Sequence, residues 1–230
     1  MGKIMYTTKN EKGDINYVAA AVSFVSDGLG DAKDRVVNIG TSVDVYDPEN
    51  KTRQKKYLNV GFWNNDDTSK AQLADRVHKA KVSPGSFLLL RTGTFRDAEP
   101  AGDGTPRMNA SGFDFQYNSQ VEIPVEGKDP VNIICGTARR TQLRDDGTFV
   151  ANVPIDSKVD GNKVTTWYSI SFKDKGKNNL GTRASKTIRD GVPVCILAGK
   201  ITDNDGTNGM VYHNAYAFDF FAGFAKNQET

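Results

Sequence analysis

The chain contains one pattern of residues twice, and this duplication constrains its fold more than any other feature. The segment YLNVGFW at 57–63 recurs as WYSISFK at 167–173, and NASGFDF at 109–115 recurs as NAYAFDF at 214–220. The partner segments lie 105 to 110 residues apart. A repeat of domain size indicates a repeated structural unit. We therefore expect two related domains in tandem.

The length and composition of the chain suit two small domains. Of its 230 residues, 37% are hydrophobic and 10% aromatic, which is enough for one core in each half. We place an N-terminal arm at 1–14 and domains at 15–124 and 125–230. No apolar run approaches the roughly 20 residues of a membrane-spanning helix, and the polar first residues are not typical of a signal peptide. We expect a cytoplasmic protein with no membrane partner.

The charges and reactive side chains favour a binding protein over an enzyme. The 30 basic and 28 acidic residues give a net charge of +2, so any polyanion contact depends on where the cations lie. His78 and His213 have no nucleophile or second metal ligand at a useful spacing. Cys135 and Cys195 lie in apolar strand-like runs, which favours buried thiols, although facing strands could bring them together. We predict no catalytic residues, no metal and no cofactor.

Each copy contains five β-type segments and one helical segment. Runs rich in branched and aromatic residues alternate with turn clusters. A helical apolar pattern at 68–81 separates the third and fourth strands of the first copy, and a shorter segment at 179–188 does so in the second. This is the element order of an oligonucleotide/oligosaccharide-binding (OB) barrel. We predict an all-β fold with a short helix per domain, made of two tandem five-stranded Greek-key OB barrels. The predicted strands are 17–25, 36–46, 57–63, 87–95 and 108–116, then 131–138, 148–155, 166–173, 192–201 and 210–221.

Alternation along the third strand of each copy predicts a binding face. In the first copy the even-numbered apolar residues take one side, and Tyr57 and Trp63 remain on the other. In the second copy Trp167 and Lys173 take the corresponding outward positions. Such an aromatic side chain either closes the barrel edge or packs on the sister domain, or it forms a surface on which nucleobases stack. We favour the stacking surface.

Basic residues cluster in the segments that would frame this face. Two precede the third strand of the first copy, three border its fourth strand and the following loop, and two occupy comparable places in the second copy. Cations in these positions would neutralise the phosphates of a bound strand. The predicted phosphate contacts are Lys55, Lys56, Arg91, Arg96, Arg107, Lys173 and Lys200, and the predicted stacking residues are Tyr57, Trp63 and Trp167.

The order and spacing of these segments resemble bacterial and phage single-stranded DNA-binding proteins of the OB-fold type, here as a tandem pair. The stretch at 147–172 is similar to that family's second strand, loop and third strand. The stretches at 83–95 and 189–201 are similar to its glycine turn and fourth strand. The resemblance extends over both copies and most of the chain.

The resemblance implies roles and partners for this chain. Tyr57 and Trp167 take the family's first stacking position on the third strand, and Trp63 takes its second, where Lys173 replaces the expected aromatic in the other copy. Family members end in an acidic tail that recruits other proteins, and this sequence ends in GFAKNQET without one. Because family assemblies present four barrels, two barrels per chain imply a homodimer. The implied function is non-catalytic, largely sequence-independent binding of single-stranded DNA in replication, recombination, repair or mobile-element maintenance.

Other functions remain open from the sequence. A structural or protein-interaction module, such as a phage or conjugative-element component, would use the double barrel as a scaffold and bury its aromatic residues in contacts. Carbohydrate binding also uses exposed aromatics but does not need the flanking cations. A stacking surface accepts RNA as well as DNA, so the sequence does not separate these two partners.

Overall fold

The computed structural model describes residues 1–27, 35–47, 50–65, 67, 69–175, 178–205 and 211–224. The chain divides into two units, Met1–Gln116 and Tyr117–Thr230. In the residues described, no helix has the length and apolarity needed to span a membrane. The last residues of the chain, on which the expected lack of an acidic tail depends, lie outside the described residues.

The first unit is built on the strand order of an OB barrel. β2 and β3 form one bent first strand, and the pairing runs β2, β6, β8, β5, β4 and back to β3. β5 and β8 are parallel, and the other neighbours in this ring are antiparallel. The elements are β1 Gly2–Asn10, β2 Gly13–Ala21, β3 Phe24–Asp27, β4 Val36–Asp47, β5 Thr52–Trp63, α1 Leu73–Lys79, β6 Phe87–Thr92, β7 Arg96–Ala98 and β8 Arg107–Gln116.

A sixth strand, β1, takes part in the first barrel. It pairs with β2 from Gly2 to Asn10 and meets β4 in parallel at the Gly2–Val43 pair. Gly2 fits this position because a Cβ there would lie only 2.9 Å from the carbonyl oxygen of Ala19. Most of the residues expected to form a separate arm are therefore a barrel strand, which gives hydrogen-bond partners to the backbone groups of β2.

The second unit repeats this arrangement. β10 and β11 form its bent first strand, and the order is β11, β12, β13, β16, β14, β10, β9, with β13 and β16 parallel. β9 pairs with β10 as β1 pairs with β2, so the residues at 119–123, expected at the end of the first domain, are a strand of the second unit. The elements are β9 Ser119–Ile123, β10 Val131–Thr137, β11 Arg139–Leu143, β12 Phe149–Val159, β13 Asn162–Phe172, α2 Leu180–Thr187, β14 Pro193–Ala198, β15 Thr202–Asp205 and β16 Val211–Ala222.

Each unit has its own core, made of the inward side chains that alternation predicts. Phe62 packs edge-on against Phe115 at 5.8 Å between ring centroids, and Phe172 packs in the same way against Phe220 at 5.7 Å. The two helices add further buried side chains, and both are short, as expected for helices that only close a barrel end. The predicted fold class, two tandem OB barrels with one short helix each, is confirmed by this strand order. The buried helical residues are Ala74, Val77, Leu180 and Ala184.

The two cysteines face each other across β10 and β14. Cys135 and Cys195 are cross-strand partners, both are buried free thiols, and their Sγ atoms lie 2.7 Å apart. Burial raises the pKa of the Cys195 thiol, so it stays protonated. The expectation of buried thiols on facing strands agrees with this arrangement.

Candidate nucleic-acid interface

Two aromatic side chains lie on the outward side of β5. Tyr57 is half-buried, and Trp63 has 56% of its surface exposed. The Tyr57 hydroxyl donates a hydrogen bond to Asp103 at 3.4 Å, and the Lys55 ammonium lies 5.9 Å from the centre of the Tyr57 ring. Trp63 lies six positions after Tyr57 along the strand, or about 20 Å at 3.3 Å per residue. A single strand could thus cross both rings with several nucleotides between them.

The strands on either side of β5 present small and polar side chains around these rings. On β4, Ser42 pairs with Tyr57 and Asn38 with Gly61. On β8, Asn109 pairs with Asn59 and Ser111 with Gly61. The outward residues of these three strands, which we call the β5 face, are small or polar around the Tyr57 and Trp63 rings, and the Phe24 ring lies over Gly40. Its residues are Asn38, Gly40, Ser42, Tyr57, Asn59, Gly61, Trp63, Arg107, Asn109 and Ser111.

Three of the predicted phosphate contacts frame the β5 face. Lys55 lies beside the Tyr57 ring, Arg107 is the cross-strand partner of Tyr57, and Arg96 pairs through β7 with Asn109. All three cations are exposed. They can therefore neutralise phosphates on a strand that stacks on this face.

Two other predicted contacts in the first barrel lie elsewhere. Alternation turns Lys56 to the side opposite Tyr57, where its Nζ forms an ion pair with Asp97 Oδ1 at 3.0 Å and its side chain is only 21% exposed. Arg91 lies on β6 between Tyr17 of β2 and Asp114 of β8, away from β4 and β5. The structure therefore does not bring Lys56 or Arg91 to the predicted stacking residues.

In the second barrel a guanidinium group lies over the predicted stacking residue. Trp167 is half-buried, and the Arg140 guanidinium carbon lies 5.0 Å from its ring centroid. Arg140 has a backbone φ of 46°, an uncommon value for a residue with a side chain. Asp190 holds this turn by accepting hydrogen bonds from the backbone N–H groups of Thr141, at 2.8 Å, and of Arg140, at 3.0 Å. These bonds lower the pKa of the Asp190 carboxyl, and the bond from the Thr141 backbone has the largest effect.

The other two predicted contacts of the second barrel are both exposed. Lys173 directly follows β13, and its Nζ lies 5.2 Å from the ring centroid of Tyr216, an exposed residue of the neighbouring β16. Tyr216 thus supplies an aromatic ring where the sequence showed only a lysine on the third strand. Lys200 follows β14 and lies 4.0 Å from a carboxylate oxygen of Asp129.

Two exposed phenylalanines that sequence reasoning missed occupy the same place in both barrels. Phe113 of β8 is 46% exposed, and Phe218 of β16 is 56% exposed. The strand register shifts at each of them, so each lies in a β-bulge. Each ring rests on a glycine, because a Cβ on Gly93 or Gly199 would lie 3.0 or 2.9 Å from the ring. The FDF triplet, which recurs at 113–115 and 218–220, was the sequence signal that could have located these two phenylalanines.

A cleft of about 420 Å³ opens between the β5 face and the turn that joins β1 to β2. Trp63 and Phe113 contribute aromatic surface to it, and Arg96 and Lys12 contribute positive charge. The first barrel therefore offers a partly enclosed site as well as an open stacking surface.

Comparison with known proteins gives matches among solved structures. No protein-family model matches the chain, and no curated protein matches its sequence. The wild-type single-stranded DNA-binding protein from Thermus aquaticus matches with 10% identity and a TM-score of 0.29 over 94% of this chain and 95% of that chain. A deletion mutant of that protein matches with 10% identity and a TM-score of 0.27 over 94% and 97%.

The chain is similar to single-stranded DNA-binding proteins. Both matched structures are of one such protein. At such identities and TM-scores they carry no further argument, so the assignment of two OB barrels rests on the strand order of this chain.

Proposed function

We propose that this protein binds single-stranded DNA without catalysis and largely independently of sequence. The observation that carries the proposal is the position of Tyr57 and Trp63 on one outward face, framed by the exposed cations Lys55, Arg96 and Arg107. Stacking of a base on an exposed aromatic ring is worth about 1–3 kcal/mol and accepts every base, because each base has a π-face. Cations around the rings add attraction to the phosphates.

The two barrels contribute differently to the proposed binding. The first offers the Tyr57 and Trp63 rings. In the second, Arg140 already lies over Trp167, so a base that stacks on that side must displace the guanidinium group. Lys173 and Lys200 are the proposed phosphate contacts there, and Tyr216 is an added stacking surface beside Lys173. We therefore expect stacking to dominate in the first barrel and charge in the second.

The proposed biological setting follows from the family resemblance. It is the protection of single-stranded DNA in replication, recombination, repair or the maintenance of a mobile element. The proposed assembly is a homodimer, which would present four barrels to one strand. Sedimentation of the purified chain with and without oligonucleotide would test this stoichiometry.

Tryptophan fluorescence tests the proposal directly, because the chain has only two tryptophans. Trp167→Phe leaves Trp63 as the sole reporter, and Trp63→Phe leaves Trp167. Titration with oligo-dT at low salt should quench the emission of each variant, because a base in direct stacking contact with the indole quenches its excited state. Lys79→Ala, an exposed cation on α1, is the control variant and should bind as the wild type does.

Two outcomes separate the proposal from its main alternative. A protein that serves only as a structural or protein-interaction module would retain unchanged emission and show no shift of labelled oligonucleotide at any salt concentration. Quenching by oligo-dT with little effect of duplex DNA would support the proposal. Parallel titrations with oligo-rU would show whether RNA binds as well.

A further inference from the structure

We infer that the cleft beside Trp63 holds one unpaired nucleobase and reads its edge through side-chain amides. The first barrel would then prefer certain bases at one position of a strand that is otherwise bound without regard to sequence. This inference rests on the proposed function, since it concerns the same face.

The size and aromatic surface of the cleft suit a base. Its volume of about 420 Å³ falls in the range of small-molecule sites, roughly 300–1,000 Å³. Trp63 and Phe113, both largely exposed, contribute planar rings to it. The indole of Trp63 extends over Gly61, because a Cβ at that position would lie 3.2 Å from Nε1. The glycine therefore allows an aromatic ring to lie close to the strand.

The polar groups of the cleft suit the edge of a base. Asn38, Asn59 and Asn109 present amides, and Ser111 presents a hydroxyl. An amide offers donors and an acceptor side by side, which matches the donor and acceptor pattern of base edges. Asp14 also lines the cleft, so a phosphate inside it would meet a negative charge. A base is therefore the favoured occupant, with its phosphates outside.

The amides on β4 and β5 are incompletely hydrogen-bonded. Asn59 Oδ1 is buried and accepts no hydrogen bond in the part of the chain that is described. Its Nδ2 donates only a long bond, 3.5 Å, to Asn38 Oδ1. Rotation about the last side-chain torsion of Asn59 exchanges its two amide ends at low cost, since that torsion is broad. The pair can therefore replace a weak mutual contact with stronger bonds to a base.

Positive charge at the rim suits the flanking phosphates. Arg96 and Lys12 both line the cleft and both are exposed. Lys12 sits in the turn between β1 and β2, where its backbone N–H donates a hydrogen bond to Asn10 Oδ1 at 2.9 Å. The strand that places a base in the cleft would therefore pass between two cations.

The second barrel has different side chains at the equivalent positions. Ser111 is the cross-strand partner of Gly61, and Tyr216 is the partner of Ser171 in the same place. The Tyr216 ring, with Lys173 above it, occupies the space that the small Ser111 leaves free. Base preference should therefore belong to the first barrel, and the second barrel provides an internal control.

The test is the affinity of the full chain for labelled oligo-dT, oligo-dC and oligo-dA of equal length, measured by fluorescence anisotropy. Amide contacts to a base edge discriminate by about 1–3 kcal/mol, so the wild type should show a spread of about fivefold or more between the best and the poorest base. Asn59→Ala should reduce this spread to less than twofold. Ser169→Ala, the matched change in the second barrel, should leave the spread unchanged.

Ser111→Tyr gives an independent check, because it introduces into the first barrel the tyrosine that the second barrel has at the equivalent position. Residue 111 is exposed and tolerates the larger side chain. It should remove the base preference while oligonucleotide binding persists. Equal affinities of the wild type for all three oligonucleotides, or an unchanged spread in both Asn59→Ala and Ser111→Tyr, would overturn this inference and leave the proposed function standing. Failure of the wild type to bind any oligonucleotide would instead overturn the proposed function.

Discussion

Replacement of Lys55 by glutamine should weaken DNA binding, whereas the same change at Lys56 should not. Lys55 lies beside the Tyr57 ring at the edge of the β5 face, and Lys56 points to the other side and pairs with Asp97 at 3.0 Å. Each phosphate contact to a single strand contributes about 0.7 to the slope of log K against log salt. Loss of one contact should therefore lower the slope by about 0.7 and, at roughly 0.1 M salt, the binding constant about fivefold.

The two adjacent lysines form a matched pair, because both substitutions remove one positive charge from the same strand. Anisotropy titrations of labelled oligo-dT from about 0.05 to 0.5 M salt give both the binding constant and the slope. For Lys56→Gln we expect an unchanged slope and a loss of stability of at most about 1 kcal/mol from the broken surface ion pair. Equal changes in slope for the two variants would show that net charge, and not position on the β5 face, controls binding.

Two further predictions concern the stability of the barrels. Gly112→Ala should lower the free energy of unfolding by about 1–3 kcal/mol, because a Cβ there would lie 2.4 Å from the Phe62 ring. Urea denaturation measures this, and Gly102→Ala, with no atom within 4 Å of its Cβ, should have little effect. Hydrogen bonds, of which the one from the Thr141 backbone N–H has the largest effect, lower the pKa of the Asp190 carboxyl from its ordinary value of 3.8. The stability that this carboxylate contributes is therefore present above pH 3.8 and is lost as the pH falls through the lowered pKa. Asp190→Asn should therefore be less stable than the wild type near pH 7, with a difference that shrinks as the pH falls below the ordinary carboxyl range. A difference that does not change with pH would contradict this linkage.

The sequence predicted those parts of the fold that depend on local pattern. Strict alternation in 57–63 and 167–173 identified the inward and outward residues of β5 and β13 correctly, since one side of each strand had to fill a core. It did not predict that β1 belongs to the barrel. The residues of β1 are mostly polar and only two of them are buried, so its place is decided by backbone pairing with distant strands.

The candidate site was harder to predict from the sequence than the fold, because it depends on strand register and on β-bulges. Lys55 and Lys56 look equivalent as members of a basic cluster, yet the alternation that places Tyr57 also separates them to opposite sides. A regular strand would place both phenylalanines of an FDF triplet on one side. A bulge instead exposes Phe113 and leaves Phe115 in the core. Gly112 marks this bulge in the first copy, but Ala217 stands in the same place in the second, so the two copies share no sequence signature of the bulge. Arg140 reaches Trp167 only through a turn held by Asp190, fifty residues further along the chain.

The position of β1 has a practical consequence for engineering. Only the short turn at 11–12 joins this strand to β2, yet it lies between two strands of the ring. A chain that begins after this turn would have an open slot whose exposed backbone groups recruit an extended peptide by strand addition. A synthetic peptide with the sequence of β1 is the natural occupant, so the protein could be divided there into two pieces that reassemble, with the peptide acting as a removable switch for the cleft above it.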